Sequence, residues 1–129
     1  MKESVKIYNN ERIDQLYSQD IKIIQSPDVF SFSLDAVLLA DFANLKISSK
    51  IKIMDLCAGN GAVGLFASQK TKGQIFQIEL QERLADMGQR SIQLNGLQNQ
   101  VHMVNLDLAN TFNKFEKDSF DYVLCNPPY

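Results

Sequence analysis

The amino-acid sequence predicts an α/β protein: a parallel central sheet with helices packed against it. Three observations carry that expectation. Short apolar runs alternate with helix-patterned segments, so successive strands need crossover connections. A glycine-rich turn, Gly59-Asn60-Gly61-Ala62-Val63-Gly64, follows the first core run. Polar residues Asp55, Glu79, Asp107 and Asn126 stand at the ends of four such runs, where an open parallel sheet gathers its ligands.

The elements follow in order. Residues 1–30 read as an N-terminal extension. In it Ile21-Lys22-Ile23-Ile24-Gln25 alternates like a strand, and Ser26-Pro27-Asp28 is turn chemistry, so a hairpin is expected. Residues 31–129 read as the α/β domain. Ser33 is placed to cap a helix, with Asp35 in the first turn. Leu34, Val37, Leu38, Asp41 and Phe42 keep helical spacing, which predicts a helix over 34–44. Ile51 to Cys57 is a core strand, and Ala62 to Lys70 a helix opening in the glycine turn. Gln74 to Glu79 is the second strand. Glu82 to Asn95 is a helix with Gly96 at its C-terminal cap. Val101 to Val104 and Phe120 to Cys125 are the third and fourth strands.

Composition narrows the function. The chain has 129 residues, 45% hydrophobic and 22% charged, which is ordinary for a soluble domain. Its net charge of −2 excludes a polyanion-binding surface by bulk charge, so any contact with RNA is local. Two cysteines, Cys57 and Cys125, make neither a disulfide framework nor a zinc site, and suit a reducing, cytoplasmic setting. One histidine, His102, cannot form a metal cluster. Met1-Lys2-Glu3-Ser4 opens a polar stretch, and the longest apolar run, Ala36 to Ala43, is broken by Asp41 and too short for a bilayer. No membrane and no metal is expected as a partner.

The motifs are more specific. Gly59-x-Gly61-x-x-Gly64 fits a dinucleotide turn, with Glu79 about twenty residues on, where a ribose-binding acid is expected. Two features tilt the reading away from nicotinamide. Asp55 lies in the strand end itself, and the fourth strand runs into Asn126-Pro127-Pro128-Tyr129. Proline fixes its own φ and holds the preceding residue extended, so this tetrapeptide presents Asn126 and the Pro127 carbonyl rigidly, with few competing donors. Together the glycine turn and Asn-Pro-Pro-Tyr resemble the signature of methyltransferases that use S-adenosylmethionine to modify a planar exocyclic nitrogen. On that reading Asp55 faces the ammonium end of the cofactor and Glu79 accepts from the ribose hydroxyls. Asp107 takes the adenine amino group, with Asn105 and Asn110 as competitors. Phe32 and Ser33 wrap the methionine end. Asn126 and Pro127 accept from the target amine, and Pro128 and Tyr129 bound its pocket, Tyr129 by stacking. Cys57 belongs to the cofactor loop, though both cysteines also read as small core residues. His102 reads as a satisfied strand residue.

The run from Glu11 to Tyr129 resembles the bacterial adenine-N6 methyltransferases that modify a valine tRNA beside its anticodon. The stretches that carry the resemblance are Ile23-Ile24-Gln25, Phe32-Ser33-Leu34-Asp35-Ala36-Val37-Leu38-Leu39-Ala40-Asp41-Phe42, Asp55-Leu56-Cys57-Ala58-Gly59-Asn60-Gly61 and Asn126-Pro127-Pro128-Tyr129. The last two are shared with enzymes that methylate a glutamine side chain of release factors. The resemblance implies a Rossmann-like, S-adenosylmethionine-dependent methyltransferase fold. It also implies tRNA as substrate, Asp55, Gly59, Gly61 and Cys57 in the cofactor loop, and Asn126 touching both cofactor and target. Members of that family continue beyond this motif, so the fold is expected to be incomplete after its fourth strand. Three alternatives stay open: the glutamine methyltransferase; a cofactor-binding fragment without turnover or one half of a split protein, paired with a complementing chain or oligomer across its exposed fourth strand; and a nicotinamide-dependent oxidoreductase.

Overall fold

The computed structural model describes residues 4–16, 20–29, 32 and 34–127. Strands β1 (Arg12–Leu16) and β2 (Ile21–Gln25) pair antiparallel, with Ile13 opposite Ile24. Both faces of β2 are covered. Ile21 and Ile23 join the main core, whereas Ile24 turns to Leu84 and Met87. The edge of β2 away from β1 meets side chains instead of a strand. Asn95 accepts from the Lys22 N–H at 2.9 Å and donates to its carbonyl at 2.6 Å. Ser91 accepts from the Ile24 N–H at 2.9 Å, and Asn60 donates to the Ile24 carbonyl at 3.0 Å. Backbone groups that would template another chain are thereby satisfied within this one.

Arg90 ties the N-terminal segment down. Its guanidinium meets Glu11 through two bonds, at 2.6 and 2.7 Å, bonds the Lys6 carbonyl at 2.9 Å, and lies over the Tyr8 ring. The side chain of Glu11 is only 3% exposed, so this forked pair is largely shielded from water. The Arg90 hydrogen bond, first among several causes, holds the Glu11 carboxyl below its usual range.

After α1 (Leu34–Phe42) the chain alternates: β3 (Lys52–Leu56), α2 (Ala62–Ala67), β4 (Gln74–Glu79), α3 (Glu82–Leu94), β5 (Val101–Asn105). A 3-10 turn at Leu108–Asn110, α4 (Thr111–Lys114) and β6 (Tyr122–Cys125) follow. The four strands β3 to β6 form one parallel sheet in the order β5-β4-β3-β6. Parallel strands covered by helices read as near-continuous apolar runs, and Ile53, Ile75 and Ile78 are accordingly buried. All six residues of α2 are buried, Phe66 among them at 1% exposure. Burying a side chain of that size contributes roughly 1.5–3 kcal/mol.

Element ends differ from the sequence reading for local reasons. The helix expected over 34–44 stops at Phe42, because Asn44 turns left-handed at φ 49°. The helix expected to reach Lys70 ends at Ala67. There the Ser68 hydroxyl donates to the Leu65 carbonyl, and the N–H groups of Gln69 and Lys70 bond three residues back. Gly96 takes the cap position at φ 68°, with its N–H on the Gln93 carbonyl and the Leu97 N–H on that of Ile92. The strand expected from Ile51 to Cys57 closes at Leu56, since Cys57 is left-handed at φ 53°. The strand expected from Phe120 begins at Tyr122. The proposed Ser33 cap lies outside the described residues.

The segment between β5 and β6 carries helical turns that no sequence period announces. It packs aromatic rings on the second face of the sheet: Phe76 stacks on His102 at 5.0 Å and meets Phe115 and Phe120 edge-on. β6 is an outer strand of the described sheet, and Val123 on it is 58% exposed. Among the described residues no helix is long and apolar enough to cross a membrane.

Candidate functional site

Strand order reverses at β3. From there the chain proceeds to β4 and β5 on one side and later returns to place β6 on the other. The carboxyl ends of β3 and β6 therefore flank the switch in strand order, the usual position of the ligand crevice in such sheets. The turn after β3 is bent tightly. Cys57, Gly59 and Gly61 all have positive φ, at 53°, 59° and 93°. Glycine carries no Cβ penalty there, which explains the pair at 59 and 61. The turn is pinned to the sheet by the Ala58 N–H on the Ile78 carbonyl at 2.9 Å.

Under the turn lies a buried polar knot. Asp55 is 1% exposed, and its Oδ2 accepts from the Gly64 N–H at 3.2 Å and from Gln77 Nε2 at 2.8 Å. The same nitrogen of Gln77 donates to the Gly61 carbonyl at 3.0 Å. Asp55 Oδ1 and Gln77 Oε1 are buried with no hydrogen-bond partner among the described residues. Burial pushes the Asp55 carboxyl up to about 7; the Gln77 and Gly64 bonds pull the other way, and the Glu79 charge adds a smaller push upward. Asp55 supports the turn from below and does not line the crevice.

Glu79 ends β4 and does line the crevice. Its Oε1 accepts from the Gly59 N–H and its Oε2 from the Gln81 N–H, each at 2.7 Å. These short charge-assisted bonds hold the carboxylate between two loops. Each oxygen keeps a further lone pair. Two hollows meet at Cys57, Glu79 and Gln81. One, of about 110 Å³, is walled by Phe32, Ala36, the turn from Cys57 to Asn60, Ala62, Val63, Leu84, Asn126 and Pro127. The other, of about 180 Å³, is walled by Ile78, Leu80, Leu106, Asp107 and Leu108. Asp107 is exposed, and its Oδ1 accepts from the Ala109 N–H at 2.9 Å, capping the 3-10 turn. Asn126 is half-buried and Pro127 exposed.

The fold thus brings Phe32, Cys57, Gly59, Glu79, Asp107, Asn126 and Pro127 around one crevice; Gly61 belongs to the turn that walls it. Pro128 and Tyr129, like Ser33, lie outside the described residues. Cys57 and Cys125 face each other where β3 and β6 end. Neither is the core residue expected: Cys57 is half-buried at the crevice and Cys125 exposed, since β6 is an outer strand of the described sheet. Partial desolvation, and then the neighbouring Cys57 thiol, push the Cys125 thiol above its usual value, which keeps it protonated. His102 is engaged with Gln74 at 2.7 Å. Among the described residues no group of three His, Cys, Asp or Glu is placed to hold a metal. Sequence reasoning missed Gln77, Asn60 and the role of Gln25. Gln77 had one available signal: a polar residue inside a strand whose neighbours on the same face are buried.

This crevice, its glycine turn and its strand order define a Rossmann-like methyltransferase fold. The family model described as the methyltransferase small domain matches residues 20–129, and the chain belongs to that family. A tRNA1(Val) (adenine(37)-N6)-methyltransferase of Shewanella sp. (strain MR-4) is 31% identical over 98 residues, 75% of this chain and 41% of that protein. Its counterpart in Shewanella baltica (strain OS185) is 29% identical over 96 residues, 74% of this chain and 40% of that protein. The chain therefore spans about 40% of the length of these curated relatives. Among solved structures, Pyrococcus horikoshii TYW2 in complex with MeSAdo aligns with a TM-score of 0.70 at 18% identity, over 90% of this chain and 42% of that one. A SAM-dependent methyltransferase from Agrobacterium tumefaciens aligns at 0.67 and 12% identity, over 95% and 41%.

Proposed function

We propose that this chain carries the S-adenosylmethionine-binding and amine-presenting part of an RNA methyltransferase acting on the exocyclic N6 of adenine. The substrate is a tRNA, and the finer choice is the adenine beside the anticodon of valine tRNA, as in the named Shewanella relatives. The observation that carries the reading is a convergence. Glu79, the glycine turn, Phe32 and Asn126-Pro127 line one hollow at the strand-order switch. A cytoplasmic location follows from a tRNA substrate.

The residues present suit the cofactor. Glu79 offers a buried carboxylate with spare lone pairs, as two vicinal hydroxyls require, each such bond to a charged acceptor contributing roughly 1.5–3 kcal/mol. Leu80, Leu106 and Leu108 offer apolar walls beside Asp107 for a flat, amine-bearing ring. Phe32, Ala36 and Val63 enclose the opposite hollow, with Asp55 beneath the turn. When bound, the cofactor supplies an electrophilic methyl group. The chain's own part is alignment. The Asn126 side chain and the Pro127 carbonyl accept from the target amine, which draws its lone pair out of conjugation and directs it into the crevice. Tyr129 stacks on the ring. Positioning of this kind contributes up to roughly 7–11 kcal/mol in favourable cases. An adenine in folded RNA must first leave its stack.

A thermal unfolding scan with S-adenosylhomocysteine, with NADH as control, tests the reading. Ligand at about a hundred times its dissociation constant should stabilise the fold by roughly 2.7 kcal/mol. A cooperative transition raised by S-adenosylhomocysteine alone is the expected result. A cooperative transition that neither ligand moves would refute it.

A further inference from the structure

Gln25 closes β2 outside the crevice, yet it is 4% exposed and both ends of its amide are engaged. Its Oε1 accepts from the Phe32 N–H at 3.0 Å, and its Nε2 donates to Asp14 Oδ2 across the hairpin. The two partners leave no choice of orientation. A carboxylate accepts only and a backbone N–H donates only, so Asp14 sets which way the amide points. Arg12 holds Asp14 in turn, at 3.0 Å. The Phe32 ring meets Phe66 edge-on at 5.4 Å. Phe32 is thus gripped at its backbone by the hairpin and at its ring by α2, while forming part of the 110 Å³ hollow.

We infer that Gln25, oriented by Asp14, is a positioning residue that sets the Phe32 wall of the crevice and so tunes affinity for the end of the ligand lying there. This rests on the cofactor reading above, which puts the methionine end beside Phe32 and the adenosine end beside Asp107. Gln25 touches no ligand; it acts through Phe32. The hairpin is then a working part of the site, and Asp14 to Gln25 to Phe32 is its connection.

Calorimetric titration of the chain and three variants, with S-adenosylhomocysteine and separately with adenosine, tests the inference. Gln25→Ala removes the acceptor. Gln25→Glu keeps it but sets two carboxylates against each other. Asp14→Asn combined with Gln25→Glu reverses the donor and acceptor between the two positions and rebuilds the link. Both single variants should bind S-adenosylhomocysteine about tenfold more weakly, the equivalent of one lost hydrogen bond. Adenosine, which lacks the methionine end, should bind as before, and the double variant should recover the lost affinity. Equal weakening of both ligands, or a double variant no better than Gln25→Glu, would overturn the inference. If the unchanged chain binds neither ligand, the cofactor reading fails and the positioning inference is judged by amide hydrogen exchange at Phe32. Exchange there should quicken in Gln25→Ala and slow again in the double variant; unchanged exchange in Gln25→Ala would overturn it.

Discussion

The Asn60 side chain donates to the Ile24 carbonyl at 3.0 Å, joining the turn that walls the crevice to the second strand of the hairpin. Both residues are buried, at 4% and 0% exposure. Asn60→Ala should leave the Ile24 carbonyl without a partner and cost about 1–3 kcal/mol. Asn60→Asp should cost more, because a carboxylate offers no donor to that carbonyl. Urea midpoints at constant slope measure both.

Gly64 and Gly59 should respond differently to alanine. A Cβ on Gly64 would meet Gln77 Nε2 at 2.3 Å and its Cδ at 2.8 Å. Gln77 is bound to Asp55 and Gly61 and cannot swing aside freely. Gly64→Ala should therefore destabilise by about 1–3 kcal/mol through overpacking. A Cβ on Gly59 meets nothing within 4 Å, so that variant carries only the left-handed backbone cost of roughly 1–2 kcal/mol. Relief of the Gly64→Ala defect by Gln77→Ala, with no relief for Gly59→Ala, is the expected pattern in a double-mutant cycle.

Stability should fall as pH rises between the ordinary carboxyl range and neutrality. The Asp55 carboxyl, pushed up to about 7 by burial, holds its proton in the folded chain at pH values where the unfolded chain, with its ordinary carboxyl at 3.8, has released it. The folded state binds more protons there, so its stabilisation is full below about pH 4 and lost as pH climbs through about 7. The slope from this group reaches at most about 1.4 kcal/mol per pH unit. Asp55→Asn should remove that slope. An unaltered pH profile in the variant would show that Asp55 is ionised throughout.

Glu79→Gln replaces two acceptors with one acceptor and a donor. Gly59 N–H or Gln81 N–H must then face a side-chain N–H, where each now meets carboxylate at 2.7 Å. Loss of a charged bond costs roughly 1.5–3 kcal/mol. On the proposed function the variant should also bind S-adenosylhomocysteine at least tenfold more weakly by titration calorimetry, a change of about 1.4 kcal/mol. Undiminished affinity would remove Glu79 from the ribose site.

Much of this was legible along the chain because it rests on local periods. Apolar runs such as Ile51 to Met54 and Ile75 to Ile78 announce strands, and the pattern from Glu82 to Leu94, closed by Gly96, announces a helix. Crossovers between parallel strands then send Glu79, Asn105 and Cys125 to the same edge of the sheet, so the place of the crevice follows from the alternation. Positive φ at Gly59 and Gly61 was likewise readable from residue type.

What the sequence by itself determined is therefore the order of elements, the class of sheet and the strand ends that face the site. Only the tertiary structure decided which polar residue serves which neighbour. Asp55 turned out to brace the turn from below, with Gln77 as its partner from the adjacent strand. Gln25 reached Phe32, and Asn60 and Ser91 met Ile24 from segments distant along the chain. The reason is physical. Backbone conformation and burial are governed by neighbours a few residues away. A buried donor or acceptor, in contrast, must be satisfied by whatever the packed fold brings within about 3 Å, and no local period encodes that choice.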